Sequence, residues 1–312
     1  DKNENKLFDV VGIDLPNDDG KSKIDKINNG ILPIDSTDNE MIEGFKISVK
    51  EGNLRASSEC EEFANAQTIV IDINLDVQKD ACESNIDFSG LRMAVESIGR
   101  YMNRDTLVIV ETTIPPGTTE NVIYPILKRK LKERFNEDIE PLLAHSYERV
   151  MPGPNYMNSI INFWRVYSAT SAKASERTKL FYEQFVNTKK YPMLRLETPR
   201  ASELAKVLEN SYRAVNIAFM QEWTEFSHKL GVDLFSIIDA IKIRPTHSNI
   251  RRPGLGVGGY CLTKDPLMGI VSTKTFLNSS QEFPMSVRSV EINDKMPRFS
   301  LKLLQEGIGK RL

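Results

Sequence analysis

Two short β-branched runs, QTIVIDINL (67–75) and DTLVIVETTI (105–114), flank GLRMAVESIGRYM (90–102), whose apolar residues recur at helical spacing. Strand, helix, strand in this rhythm calls for a crossover, since a helix returning across a sheet delivers the chain to a neighbouring strand of the same direction. A doubly wound parallel sheet of the α/β class is expected. An earlier run, FDVVGIDL (8–15), reads as a buried strand that ends on Asp14 and is followed by turn-rich PNDDGK. SKIDKINNGILPI then predicts a short amphipathic helix stopping at Asn29 and Gly30, where glycine supplies the left-handed C-cap. Residues 115–135 open with Pro-Pro-Gly and continue as a helix with basic residues in its last turns.

From Thr198 the pattern changes to one long helix, with Thr198 as N-cap, Pro199 at the first helical position and Gly231 at the end. About 30 residues at ~1.5 Å each make a rod of roughly 45 Å, long enough to leave one domain and carry another. The expected division is residues 1–197 and residues 198–312. A helical stretch (234–243), the Gly-rich segment NIRRPGLGVGGYCLTKDP and a final helical region complete the second part.

Composition narrows the function. Forty-one Lys plus Arg stand against forty-three Asp plus Glu, a formal net charge of −2 with no basic block, so nucleic acid is disfavoured as the main partner. No apolar run approaches the ~18 residues that a membrane span needs. Cys60, Cys82 and Cys261 are scattered and odd in number, which indicates neither a disulfide framework nor a metal site. With a polar N-terminal stretch, DKNENKLFDV, a reducing, cytoplasmic setting is expected.

Four segments could carry chemistry. Glu203, Lys206 and Asn210 share one face of the long helix; taken alone, a solvated stripe with a Glu–Lys pair worth ~0.3 kcal/mol fits as well. In GLGVGGYCLTKDP (254–266), four glycines let backbone approach a ligand, and Cys261 precedes Lys264 and Asp265. A cation nearby favours the thiolate, although a lone cysteine is often only a small buried hydrophobe. ERVMPG (148–153) follows the apolar PLLA, at a strand end where sites are expected; a surface ion pair is its plainer reading. ETTIPPGTT (111–119) places hydroxyls at a strand end opening a helix, which suits an anion or an ordinary N-cap.

In this order the segments resemble the UDP-glucose/GDP-mannose dehydrogenase family. The carriers are VVGID with NNGILPI, ETTIPPGTT, ERVMPG, the helix text ELAKVLENSYRAVNIAF and GLGVGGYCLTKDP, and they span nearly the whole sequence. The resemblance is nearest to the branch that oxidises UDP-N-acetylhexosamines, while Y-C-L-x-K-D (260–265) is also like the UDP-glucose branch. It implies a Rossmann-like domain, a long central helix and a helical dimerisation domain, with homodimerisation through residues 198–230. It implies NAD-dependent, four-electron oxidation of a UDP-sugar at C6, with no metal.

By the same resemblance each matched position acquires a role. Cys261 would be the nucleophile that carries the thiohemiacetal and thioester. Lys206 and Asn210 would hold the C6 oxygen, Asp265 would orient Lys206 or act through water, and Glu148 would serve thioester hydrolysis. Asp14, Thr113, Glu148 and Lys264 would face the cofactor; Asp14 would accept from the ribose hydroxyls and repel the extra phosphate of NADP. Arg149, Glu203, Arg251 or Arg252, and Gly254, Gly256, Gly258 and Gly259 would line the nucleotide sugar. A dehydrogenase of the 6-phosphogluconate or 3-hydroxyacid type would share a Rossmann domain and a long helix but needs no such cysteine. A non-catalytic scaffold that dimerises through the long helix is the remaining alternative.

The sequence also departs from the family pattern. The family's first strand and G-x-G-x-x-G loop, and its terminal uridine-binding domain, find no counterpart in these residues. Asn74-Leu75-Asp76 stands where Thr-Pro is common, and Thr263 where a proline is usual. A piece of a longer polypeptide is the expectation, because Cys261, Lys206, Asn210 and Asp265 are all in place.

Overall fold

The computed structural model describes residues 6–79 and 84–309; Cys82 lies outside them. The chain divides into two compact units, the first from the N-terminal segment to Ile73 with Ser89–Thr112 and Thr119–Ser202, the second Asn74–Phe88, Thr113–Thr118 and Glu203 onward.

The first unit opens with strand β1 (Val10–Ile13), helices α1 (Asp18–Asn28) and α2 (Asn39–Lys50), and strand β2 (Leu54–Ser57), which pairs parallel to β1. Helix α1 starts earlier than its apolar pattern suggests. The Asn17 side chain accepts from the Gly20 N–H at 2.8 Å, and Asp18 and Asp19 favour the first turn, so residues that look like a loop become helix. It ends at Asn29 with Gly30 at φ +72°, the glycine cap expected from the sequence. Asp38 caps α2 in the same way and also accepts from the Met157 N–H at 2.9 Å. That backbone donor holds the Asp38 carboxyl below its ordinary value.

A five-stranded sheet follows, built from β3 (Thr68–Ile71), then, after the second unit's hairpin β4 (Val77–Lys79) and β5 (Ser84–Ile86), from β6 (Leu107–Val110), β7 (Leu142–His145), β8 (Val166–Ala169) and β9 (Leu194–Arg195). The order is β3-β6-β7-β8-β9. All pairs are parallel except β7–β8, so the sheet is mixed where a wholly parallel one was expected. Between those two strands lies only α5 (Tyr156–Ile161), whose six residues rise ~9 Å, short of the roughly 13 Å needed to recross a four-residue strand.

Helices α3 (Ser89–Tyr101) and α4 (Tyr124–Phe135) pack on each other, with Leu91, Val95, Leu127 and Leu131 buried. Gly99 permits the approach: a Cβ there would lie 2.6 Å from Cβ of Lys130. Helix α6 (Ala172–Glu183) lays Ala174 and Tyr182 against Leu107, Ile109, Leu142 and Ala144. Leu107–Val110 is fully buried on both faces, which accounts for its unbroken apolar run.

Helix α7 (Pro199–Leu230) is 32 residues long, and the division between the units falls inside it. The second unit continues through α8 (Leu234–Lys242), the short α9 (Tyr260–Lys264), α10 (Met268–Phe276) and α11 (Pro284–Gly309). Its core joins Val77, Val207, Leu267, Met268 and Val290. Asp233 caps α8 by accepting from the N–H groups of Phe235 and Ser236. The Gly-rich segment is not irregular throughout, because Cys261 sits in the single turn and a half of α9. No helix among the described residues is long and apolar enough to cross a membrane.

Candidate active site

In the second unit, Glu203, Lys206 and Asn210 follow one another along α7 and all three are buried, at 0 %, 8 % and 2 % exposure, whereas Leu204 and Leu208 are exposed. A solvated stripe therefore does not describe them. Charge inside a helix-packed core requires partners. The Glu203 carboxylate accepts from the Gly117 N–H at 2.5 Å, where the turn of residues 115–118 reaches φ +101°. Thr118 closes that turn on the Pro115 carbonyl at 2.6 Å. The structure thus spends Glu203 on bracing the turn that follows Thr113.

Asn210 donates from Nδ2 to Asp265 at 2.7 Å, and Lys264 Nζ lies 2.9 Å from the other Asp265 oxygen. Asp265 is wholly buried and Lys264 nearly so. Sequence separation hides this joining of α7 to the Cys loop, since Asn210 and Asp265 are 55 positions apart. Cys261, half-buried, is carried one turn before Asp265. A thiol beside a buried ammonium and a carboxylate–amide pair forms a site able to stabilise a thiolate and, later, an oxyanion.

The four glycines separate into two kinds. A Cβ at Gly256 would fall 2.9 Å from Cγ of Pro297 on α11, so glycine there is required by packing. Gly254, Gly258 and Gly259 meet nothing within 4 Å among the described residues and have no positive φ, so the chain's own packing does not ask for glycine. Open space beside bare backbone is what a close-lying polar ligand needs. Arg251 is exposed; Arg252 is exposed too, pairs with Asp239 and lies over the Phe235 ring at 5.8 Å.

In the first unit, Asp14 ends β1 half-exposed. One oxygen accepts from the Leu15 N–H at 2.7 Å and the other is 3.6 Å from Lys23, whose ammonium is raised above its ordinary value by Asp19 and Asp14. Both oxygens keep acceptor capacity toward solvent, which fits the ribose hydroxyls of a dinucleotide. Glu148 follows β7; its carboxylate accepts from the Val150 N–H at 2.6 Å, and its own N–H reaches the Glu111 carbonyl at 3.4 Å. Arg149 is stacked over Tyr147 at 4.7 Å and Phe163 at 5.6 Å and donates to the Trp164 carbonyl at 3.1 Å.

Sequence reading missed a buried cluster here. Glu111 accepts from Arg165 at 2.9 Å and from the Tyr182 hydroxyl at 2.5 Å, with the guanidinium 4.5 Å over the Tyr182 ring. Burial, stronger than the Arg165 charge, raises the Glu111 carboxyl above its ordinary value, and burial raises the Tyr182 hydroxyl. His145 Nδ1 is hydrogen-bonded to Ser202 Oγ at 2.7 Å, and Ser202 Oγ lies 2.6 Å from Ser168 Oγ. Arg165 and Tyr182 lie in stretches without motif character, so nothing local in sequence marks them.

Residues 4–186 match the NAD binding domain of the UDP-glucose/GDP-mannose dehydrogenase family, and residues 200–295 match that family's central domain. A UDP-N-acetyl-D-mannosamine dehydrogenase of Pyrococcus horikoshii is 31 % identical over 308 residues, covering 97 % of this chain and 66 % of that protein. The solved structure of the P. horikoshii UDP-D-ManNAc dehydrogenase superposes with a TM-score of 0.79 at 30 % identity, over 98 % of this chain and 67 % of that one. The UDP-N-acetyl-mannosamine dehydrogenase of Staphylococcus aureus gives 0.76 at 26 % identity, over 96 % and 65 %. The chain spans just under two thirds of the length of the first curated relatives it matches, 66 % and 65 %.

Proposed function

The chain belongs to the UDP-glucose/GDP-mannose dehydrogenase family and its cofactor is NAD, and on that premise we propose that the polypeptide carrying it oxidises C6 of a UDP-N-acetylhexosamine, of the N-acetylmannosamine type, to the uronic acid. The observation that carries this reading is the buried Asn210–Asp265–Lys264 array placed directly after Cys261. NAD would be held at its adenosine ribose by Asp14 and would supply the hydride acceptor for both oxidations.

The chain's own residues do the rest. Lys206 stabilises the alkoxide at C6 with its ammonium, and Asn210, oriented through Asp265, donates to the same oxygen. Cys261 attacks the aldehyde as a thiolate; the C–S bond forms, and the hemiacetal oxygen takes the proton. Loss of the C6 hydride leaves a thioester, which a water activated by Glu148 hydrolyses to acid and thiol. Gly254, Gly258 and Gly259 offer backbone to the diphosphate and sugar, with Lys264 neutralising charge within the array. Exposed Leu208, Phe219, Trp223, Phe226 and Leu230 on α7 make an apolar face of the kind a second copy covers, and a homodimer is the proposed assembly. A reducing, cytoplasmic setting is proposed with it.

The test is NADH formation by the longest native polypeptide with UDP-N-acetylmannosamine, UDP-N-acetylglucosamine and UDP-glucose in parallel. Two NADH per UDP-N-acetylmannosamine are expected. Silence with all three, together with no binding of NAD, would leave the scaffold reading in its place.

A further inference from the structure

One departure from the family's sequence pattern meets, in space, the residue that precedes the cysteine. Asp76 stands in the Asn74-Leu75-Asp76 segment that replaces the usual Thr-Pro, and Tyr260 immediately precedes Cys261. The Tyr260 hydroxyl donates to Asp76 Oδ1 in a short hydrogen bond and reaches the Leu75 carbonyl at 3.4 Å, across 184 residues of sequence. The other side of the ring is also engaged: Lys264 Nζ lies 4.5 Å from its centroid, at the far end of the same five-residue helix. Thr263, at the second departure, closes this turn by donating to the Tyr260 carbonyl at 3.0 Å.

We propose that Asp76 and Tyr260 form a clamp that sets the position of the Cys261 thiol, and that Tyr260 is thereby a positioning residue for the nucleophile. The turn that carries Cys261 is short, with Leu262 and Lys264 as its buried residues. Gly258 and Gly259 precede it with open space around them, and α9 has only five residues. The phenol ties its start to the 74–76 segment, and the Lys264–Asp265–Asn210 chain ties its end to α7. Cys261 lies between the two ties. The ring also restrains Lys264, so one side chain fixes both the thiol and the ammonium that pairs with Asp265. Partial desolvation, the hydrogen bond to Asp76 and the charges of Asp76, Asp265 and Cys261 push the Tyr260 hydroxyl well above its ordinary value, so it stays protonated, and a donor, wherever a thiolate can work.

The proposal rests on Cys261 being the nucleophile, and its test separates the two. The full native polypeptide is treated with iodoacetamide at a pH where the thiol is ionised, and alkylation is followed at Cys261 and at Cys60 separately by peptide mass spectrometry, beside steady-state kinetics. Tyr260→Phe keeps the ring and its contact with Lys264 but loses the donor. It is expected to change the Cys261 alkylation rate about three- to tenfold, leave Cys60 unchanged, and lower kcat about tenfold with KM for the nucleotide sugar within twofold. Asp76→Ala should do the same, the double variant should be no worse than either single one, and Asp76→Asn, which still accepts, should recover most of both readouts. Additive losses in the double variant, or Cys261 alkylation and kcat both within twofold of the parent in Tyr260→Phe and Asp76→Ala, would overturn the clamp. Failure of the catalytic reading shows elsewhere, as full acid formation by Cys261→Ser, and leaves the alkylation result standing. Should Tyr260→Phe not fold, the Asp76 pair of variants decides.

Discussion

Each unit buries an acid against a cation, and the two do so to different ends. In the first, Glu111 is enclosed by Arg165 and the Tyr182 hydroxyl, with the guanidinium laid over the same phenol. Arg165 and Tyr182 are buried and Glu111 is largely so, next to strands β6 and β8 and helix α6. In the second, Asp265 holds Asn210 and Lys264 from opposite oxygens, directly after a cysteine and a run of bare backbone. The same chemical pair thus serves as a structural tie where it is sealed and as a candidate reaction centre where a nucleophile and open space adjoin it. Burial of charge by itself does not identify a site; its neighbours do.

The largest effect expected follows from that distinction. Cys261→Ser should abolish acid formation, a loss of at least about 10³-fold, while nucleotide-sugar binding stays within a few fold, because the hydroxyl is a far weaker nucleophile of similar size. Calorimetric titration with the sugar nucleotide, beside product analysis, checks both halves. Full turnover in this variant would break the assignment of the second pair as catalytic.

Arg165→Met tests the other member of the comparison. Removing the cation leaves Glu111 buried and unneutralised, so a loss of about 3 kcal/mol in stability is expected, with the kcat of the folded fraction nearly unchanged. The pH dependence supplies the sign. Burial already raises the Glu111 carboxyl above the ordinary 4.5, so the folded state binds the proton more tightly than the unfolded one, and this group's contribution to stability falls as pH rises from about 4.5 through the raised value. Without Arg165 that rise grows. The variant's deficit should therefore be small near the lower edge of the window and largest above it, as denaturant melts at a series of pH values would show. A deficit independent of pH would mean the loss is one of packing alone.

Much of this organisation was legible in sequence where the signal is local. Unbroken apolar runs marked β3 and β6, Thr198–Pro199 and Gly231 bracketed α7, and the spacing of Glu203, Lys206 and Asn210 put them on one face. What the spacing could not say is which face turns inward. The helix buries the polar three and exposes Leu204 and Leu208, because partners for charge come from Gly117 and Asp265, both distant in sequence. Strands β2, β8 and β9, of four, four and two residues, are too short to show a period. Of the Tyr260–Asp76 bond the sequence shows only one end, as a departure at residues 74–76, because 184 positions separate the partners.

The glycines give the smallest and most discriminating comparison, since they sit within six residues of one another and differ only in what surrounds them. A Cβ at Gly256 meets Pro297 Cγ at 2.9 Å; the proline ring is rigid and part of α11, so it cannot swing aside as a lysine end would. Gly256→Ala should cost about 1–3 kcal/mol through displacement of that helix. At Gly258 the same methyl meets nothing within 4 Å, and the backbone carries no positive φ, so Gly258→Ala should change stability by less than about 0.5 kcal/mol. Its effect should fall on the ligand instead: a methyl in the space beside the backbone holds the diphosphate or sugar away, raising KM for the nucleotide sugar by about tenfold while the melting temperature stays put. Thermal melts and KM measured on the two variants side by side resolve the point, and a Gly258→Ala protein with unchanged KM would return that glycine to the category of chance and leave Gly254 and Gly259 as the positions to test for ligand contact.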